Sequence, residues 1–239
     1  MTDESASLTN VLVIIPVLNE EATISRVIQA LQAHGLTQIR VVDNGSTDRT
    51  IEAAEGSGAE VLQEPIPGYG CACWRGLQQL PSHIEWIFFC DGDGSDDLGQ
   101  LSQFLAQRPD YDLILGDRNA TATGRAALTP MQRRGNQLVT WLMALGWGYR
   151  FRDLGPMRLI RRSALDQIQM RDRGFGWTVE MQVRAVECSL RICELPVGYR
   201  DRQGGESKIS GSFSGSIKAG TIILRTLGQL YWQRLRTYF

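Results

Sequence analysis

The run Val11-Leu12-Val13-Ile14-Ile15 is continuously apolar and closed by Pro16, which predicts a strand buried on both faces. Behind it, Asn19-Glu20-Glu21-Ala22-Thr23 opens a helical pattern. Asn19 is placed to cap that helix, the two glutamates suit the positive end of its dipole, and Ile24, Val27, Ile28 and Leu31 recur on one face. Ile39-Arg40-Val41-Val42 predicts a second strand, running into Asp43-Asn44-Gly45-Ser46-Thr47-Asp48, where Ser46 or Thr47 can cap a helix starting near Arg49. A third strand at Glu60-Val61-Leu62 leads through Pro65 to Gly70 into a helix ending at Leu80, and residues 86–90 form a fourth. Leu113-Ile114-Leu115 is a fifth, ending in Gly116-Asp117-Arg118. This alternation predicts an α/β fold whose mostly parallel, doubly wound sheet is flanked by helices. Such sheets bind ligands outside the carboxyl ends of their strands. Four polar or glycine-rich turns fall there: 16–20, 43–46, 68–70 and 91–93.

The fourth strand exits into Asp91-Gly92-Asp93-Gly94-Ser95-Asp96-Asp97. Such a concentration of carboxylates suits a hard divalent cation, Mg²⁺ or Mn²⁺, held by one or two carboxylates with water and substrate phosphates completing the shell. A solvated acidic turn is the competing reading, since Asp and Gly are ordinary turn residues. An EF-hand loop is excluded: counted from Asp91, its sixth and twelfth positions hold Asp96 and Ser102 rather than Gly and Glu. No P-loop and no Gly-x-Gly-x-x-Gly opening the first helix is present.

Composition narrows the picture further. With 239 residues, 43% hydrophobic and 21% charged, the chain is an ordinary globular one with a sizeable core. The polar segment 1–10 reads as neither signal nor transit peptide. Five cysteines without a Cys-x-x-Cys pair read as reduced, small apolar residues of a cytoplasmic protein. The formal charge of −1 conceals a polarity: residues 1–112 hold 17 acidic and 5 basic side chains, a net of −12, and residues 113–239 hold 9 and 20, a net of +11. An acidic half suits a metal ion, and a basic half suits a phosphorylated partner or an anionic membrane. Nucleic acid is not an expected partner.

Ile14-Ile15-Pro16-Val17-Leu18-Asn19-Glu20-Glu21, Val42-Asp43-Asn44-Gly45-Ser46-Thr47-Asp48 and Asp91-Gly92-Asp93 together resemble the family 2 glycosyltransferases, which use the GT-A fold. The resemblance implies that Asp43 binds the base of a nucleotide-diphosphate sugar and that Pro16, Asn19 and Glu20, with Ser46, Gly70 and Gly92, line the same pocket. It also implies that Asp91 and Asp93 hold the metal–diphosphate. In the second half, Arg152 to Arg158, Gly176 to Glu180 and Tyr199 to Lys208 are similar to blocks of the dolichyl-phosphate (polyprenyl-phosphate) mannose synthase group. Carried over, Arg118, Arg133 or Arg134, Arg202 and Lys208 become candidates for the acceptor phosphate, which guanidinium groups grip bidentately. Gly94-Ser95 replaces that group's more usual Gln-His pair, and Leu154-Gly155-Pro156-Met157 departs from its Ser-Gly-Phe. The Gln-x-x-Arg-Trp signature of processive polysaccharide synthases is missing.

The expectation is therefore a single GT-A-like catalytic domain over 1–239, with a nucleotide-sugar half (8–112), an acceptor half (113–215) and a C-terminal amphipathic helix (216–239). It would transfer a hexose from a GDP-mannose- or UDP-glucose-type donor to a polyprenyl phosphate with inversion. The catalytic candidates are Asp91, Asp93, Arg118 and Glu180. A soluble hydroxyl acceptor, which would need Glu180 or Asp153 as base, and a sugar nucleotidyltransferase are the rivals. Asp96 and Asp97 read as N-terminal charges of the next helix, itself followed by a helix from about Met131 to Leu145. In the last segment Leu224, Leu227, Tyr231, Leu235 and Tyr238 share a face opposite Lys218, Arg225, Gln229 and Arg236. Such a helix lies on an inner membrane face or docks on protein, including a second subunit.

Overall fold

A computed structural model describes residues 8–200 and 213–237 of the chain. Seven strands form one sheet in the order β3-β2-β1-β4-β6-β5-β7. They are β1 (Val11–Val17), β2 (Ile39–Asp43), β3 (Glu60–Gln63), β4 (Trp86–Phe89), β5 (Leu113–Asp117), β6 (Arg158–Arg161) and β7 (Ile192–Pro196). All pairings are parallel except those of β6, which runs antiparallel to both β4 and β5. The sheet is thus mostly parallel. The short Arg-Leu-Ile-Arg of β6 gives too little periodicity to be recognised as a strand in sequence.

Its antiparallel course matters for the site. The register Phe89↔Arg158 and Leu115↔Arg158 brings the start of β6 to the carboxyl ends of β4 and β5. Pro16 does not end β1 as expected; the strand continues to Val17. The β4 ladder stops at Ile14↔Phe89, so the missing N–H of Pro16 leaves no gap on that side.

Helices α1 (Ile24–Ala33), α2 (Thr50–Gly56) and α4 (Leu101–Ala106) supply the core on one face, centred on Val13, Ile15, Ile28 and Phe88. On the other face lie α3 (Tyr69–Gly76), α6 (Pro130–Trp147), α7 (Arg162–Ile168), α8 (Trp177–Glu187) and α9 (Phe213–Thr237), around Ile14, Phe89, Trp147 and Trp177. A short α5 (Ala122–Ala127) follows β5. The expected helical stripe Ile24, Val27, Ile28 and Leu31 is the buried face of α1.

Helix α3 stops at Gly76 rather than Leu80, because Arg40 donates to the carbonyls of Gly76 (2.7 Å) and Gln78 (2.9 Å). Helix α6 is bounded by a capping box between Thr129 and Gln132, Pro130 in the first turn, and Gly148 in the left-handed region. Helix α9 is docked on protein: Ala219, Thr226, Leu227 and Leu230 are buried, and Tyr231 packs on Trp147. The face expected from sequence is therefore split, with Leu227 buried and Leu224 and Leu235 exposed.

Trp177 fastens the second layer. Fully buried, it meets Trp74 and Phe89 edge-on at 5.6 and 5.9 Å between ring centroids. Trp177→Ala is expected to lower unfolding free energy by about 3–5 kcal/mol, seen as a shift of the urea midpoint at unchanged slope.

Candidate active site

The donor side is assembled where β1 and β2 end. The Asp43 carboxylate accepts from the amides of Gly45 (3.1 Å) and Ser46 (3.1 Å), closing a tight turn. Ser46 Oγ in turn accepts from the Asn19 amide (2.8 Å), Asn19 Oδ1 accepts from the Thr47 amide (2.7 Å), and the amide of buried Glu20 donates to Thr50 Oγ1 (2.7 Å). These bonds bring Pro16, Asn19, Glu20, Asp43 and Ser46 to one crevice. They also correct the two expected helix caps. Asn19, at φ 55°, spends its side chain on Thr47, while α1 begins after Thr23. The Thr50 amide that opens α2 is served by Asp48 (3.1 Å), not by Ser46 or Thr47.

Asn44 staples the third turn to the second: its amide donates to the Glu64 and Ile66 carbonyls (both 2.8 Å), and its Oδ1 accepts from Gly68 (2.8 Å). Packing alone accounts for the two glycines expected to line the nucleotide pocket. A Cβ on Gly70 would come within 2.6 Å of the Arg173 backbone, and one on Gly92 within 2.6 Å of Val17 Cγ1.

The acidic turn leaves β4 beside this crevice, tied to α1 by the Thr23 hydroxyl, which donates to the Gly92 carbonyl (2.9 Å). Asp93 is buried, and its Oδ1 accepts from the Ser95 amide (2.9 Å) and hydroxyl (2.5 Å). Asp97 faces the next turn, accepting from the Gly99 amide (3.2 Å) and pairing with Arg200 (3.3 Å).

Asp96, in contrast, is no helix-terminal charge. It turns inward, and its Oδ2 accepts from the Asp91 amide (2.9 Å). Burial, reinforced by the neighbouring Asp93 charge and opposed by the Asp91 amide, pushes the Asp96 carboxyl up to about 7. Among the described residues no group of three or more His, Cys, Asp or Glu side chains is set to hold a metal ion. The donor set nevertheless fits one. Carboxylate oxygens are hard ligands, Asp91 and Asp93 stand two residues apart at the strand end, and Mg²⁺-type sites use only one or two protein carboxylates.

The other side of the crevice is organised by an ion pair. Arg118 donates to Asp153 through Nε (2.7 Å), Nη2 (2.9 Å) and its own amide (2.9 Å). Asn136 Nδ2 (2.8 Å) and the Leu154 amide (2.8 Å) add two further donors to the same carboxylate. Burial alone would raise the Asp153 pKa, but the Arg118 charge and these bonds hold it below the ordinary carboxylate range.

The Arg118 guanidinium lies 4.9 Å from the Tyr199 ring centroid. Tyr199 bridges to Asp96 across a short antiparallel contact, and the Arg200 amide donates to the Ser95 carbonyl (2.9 Å). The acceptor side is thereby pinned against the acidic turn. Beneath both sits Arg158, wholly buried, donating to the carbonyls of Gly155, Pro156 and Thr178. Its charge lies among the strand ends that carry the carboxylates.

The model of glycosyl transferase family 2 matches residues 12–169. This chain belongs to glycosyltransferase family 2. An uncharacterised glycosyltransferase of Mycobacterium tuberculosis is 38% identical over 210 residues, covering 87% of this chain and 94% of that protein. The dolichyl-phosphate hexose transferase of Haloferax volcanii is 30% identical over 217 residues, covering 89% and 92%. Among solved structures, glucosyl-3-phosphoglycerate synthase of M. tuberculosis, bound to Mn²⁺, uridine diphosphate and glucosyl-3-phosphoglycerate, superposes with a TM-score of 0.74 at 20% identity. That match covers 94% of this chain and 81% of that one. The fold is GT-A-like.

For a family 2 transferase, two expected roles look different in three dimensions. Glu180 is buried, with Oε2 accepting from the amides of Arg171 (2.8 Å) and Asp172 (2.6 Å). It shapes the loop whose carbonyls at Arg173 and Gly174 receive the amides of Cys71 and Gly70 at the start of α3. Arg118 is committed to Asp153 on two of its nitrogens rather than free to fork around a phosphate. Arg133 and Arg134 are exposed on the first turns of α6, two and three residues from Asn136. Arg202 and Lys208 lie outside the described residues; the chain reaches that segment from Arg200, anchored on Ser95.

The sequence assigns no role to Asn136 or Tyr199, and it assigns Asp96 to the following helix rather than to the crevice.

The Asp96 shift carries a stability consequence. The folded protein keeps a proton there that the unfolded chain, with an ordinary carboxyl near 3.8, gives up, so stability is lost as pH rises from about 4 to about 7. Asp96→Asn is expected to raise the melting temperature of chelator-treated protein by several degrees at about pH 8, with a smaller gain at about pH 5. Thermal unfolding at the two pH values checks it.

Proposed function

We propose that this family 2 transferase moves a hexose from a nucleotide-diphosphate sugar to an acceptor presenting a phosphate, a polyprenyl phosphate being favoured. The reaction is placed at the inner face of a membrane. The observation that carries the reading is that both carboxylates expected from sequence as general bases, Asp153 and Glu180, are occupied by hydrogen bonds. Asp153 accepts from Arg118, Asn136 and Leu154, and Glu180 from the amides of Arg171 and Asp172. A hydroxyl acceptor needs such a base, whereas a phosphate oxygen is already anionic near neutral pH and attacks without one. The name of the Haloferax relative, a dolichyl-phosphate hexose transferase, supports the same acceptor class.

In this reading Asp43, with Asn19, Glu20 and Ser46 around it, receives the nucleoside. Asp91 and Asp93 hold a divalent cation, Mg²⁺ or Mn²⁺, which would stabilise the diphosphate as it leaves. The acceptor phosphate approaches from the Arg118 side, where the ion pair with Asp153 fixes the guanidinium and Arg133, Arg134, Arg202 and Lys208 supply further positive charge. Attack opposite the departing diphosphate inverts the anomeric centre.

A second reading, a soluble phosphorylated hydroxyl acid, has its own support. The Asp96 carboxyl, pushed up to about 7, has the affinity of a base working near neutral pH, and the solved synthase of the same fold binds a phosphoglycerate product.

Purified protein offered a panel of nucleotide sugars with Mg²⁺ or Mn²⁺ is expected to form glycolipid with a short, detergent-dispersed polyprenyl phosphate. Turnover confined to 3-phosphoglycerate or other soluble hydroxyl acceptors would overturn the first reading in favour of the second. Asp93→Ala should abolish transfer, and Arg202→Ala should raise the acceptor KM while leaving the donor KM unchanged. Glu180→Gln separates base from scaffold: the lipid-phosphate reading expects a lower melting temperature with no change in the pH profile of kcat.

A further inference from the structure

Helix α6 is apolar on the side that faces away from the core as well as on the side that faces it. Val139, Met143 and Trp147 are buried, yet Met131, Leu138, Trp141 and Leu145 are all exposed, Trp141 by 55% and Leu145 by 64%. At 100° per residue these four fall within one outward stripe, with Arg134 among them. A helix with an apolar stripe on its outer side as well as its core side leaves that outer stripe for a second partner.

The stripe continues onto α9. Tyr231 donates its hydroxyl to the Leu142 carbonyl, and a Cβ on Gly146 would strike the Tyr231 ring. Beyond that contact Trp232 is 58% and Leu235 57% exposed. Two helices thus present a joined apolar ridge carrying two tryptophans. No helix among the described residues is long and apolar enough to cross a membrane.

Charge decides what the ridge fits. Neither residues 130–147 nor residues 213–237 contain a single Asp or Glu. Arg225 and Arg236 flank the ridge on α9, the latter stacked over Trp232 at 4.1 Å, and Arg133 flanks it on α6. On the side of α6 away from α9, a cavity of about 480 Å³ is lined by Gln137, Thr140, Trp141, Arg150, Phe151 and Arg152. Arg150 and Arg152 are exposed; the Arg152 amide donates to Glu194 (2.7 Å), and its charge also acts on Glu194 and Asp117. An apolar ridge with tryptophans at its border, an arginine rim and no carboxylate on either helix matches the interface of an anionic bilayer. A protein partner or a second copy of the chain would have to offer acidic groups around an apolar centre.

We propose that the α6–α9 ridge lies in the interface of an anionic phospholipid membrane, with a lipid headgroup phosphate received by Arg150 and Arg152 in the adjoining cavity. The placement deepens the lipid-acceptor reading and rests on it. Asn136, on the same helix as the stripe, binds Asp153 of the acceptor side, so a bilayer along α6 delivers a lipid headgroup to the crevice. Helix α9 thereby touches the membrane with the residues it does not bury in protein, rather than with the full apolar face read from its sequence.

The test is co-sedimentation of the full chain with vesicles of phosphatidylcholine alone or mixed with phosphatidylglycerol, both free of polyprenyl phosphate. Binding is expected only to the anionic vesicles. Trp141→Glu with Leu145→Glu should weaken it about tenfold or more, and Arg150→Glu with Arg152→Glu by a comparable factor. Both double variants should keep the wild-type kcat on detergent-dispersed short-chain acceptor, which shows that they fold.

Wild-type protein that ignores anionic vesicles while still glycosylating dispersed polyprenyl phosphate overturns the membrane surface and leaves the proposed activity standing. Vesicle binding without such transfer does the reverse. A dimer in solution that Trp141→Glu dissociates, with no vesicle binding, assigns the ridge to a second copy of the chain and also overturns the proposal.

Discussion

The buried pair between Arg118 and Asp153 is the contact on which the second half of this molecule depends. Five donors converge on one carboxylate, drawn from the end of β5, from α6 and from the loop that leads into β6. Gln182 of α8 adds a bond to the Asp153 carbonyl (3.0 Å). Removing either charge would leave its partner stranded in a poorly solvated place, which is costly. Kept together, the pair fixes where the arginine points, supplies a platform under Tyr199 and holds that aromatic against Asp96. It is therefore a positioning device for the whole crevice, and its own ligand-binding capacity is limited because two of its nitrogens are already engaged.

Opposite it stands a deliberate excess of negative charge. Asp91, Asp93 and Asp96 crowd one turn after β4, and burial makes the third reluctant to ionise. Arg118 offsets part of that charge, while Arg158 is buried nearby and bound to the carbonyls of Gly155, Pro156 and Thr178. The acidic first half and basic second half of the chain meet at this crevice.

Much of this was legible in residues 11–93. Continuous apolar runs marked β1, β2 and β4, and polar turns at their carboxyl ends marked the donor crevice, because a strand buried on both faces imposes a local composition that survives as a pattern. Caps were read less well. Asn19 and Ser46 are good capping residues by type, yet each found a better partner on the neighbouring loop, a choice that depends on two strands lying side by side. The strands β6 and β7 and the roles of Asn136 and Tyr199 gave no local signal, since each is set by a contact far along the chain.

The sequence by itself determined the family, the α/β alternation and the cluster of carboxylates in the turn after β4, because these rest on short contiguous motifs and on burial. Tertiary structure decided the rest. It turned Asp96 inward, committed Glu180 to a backbone loop and Arg118 to Asp153, and left one side of α6 apolar and uncovered. These outcomes depend on which groups lie within hydrogen-bond reach once distant segments pack, and a linear pattern carries no record of that distance.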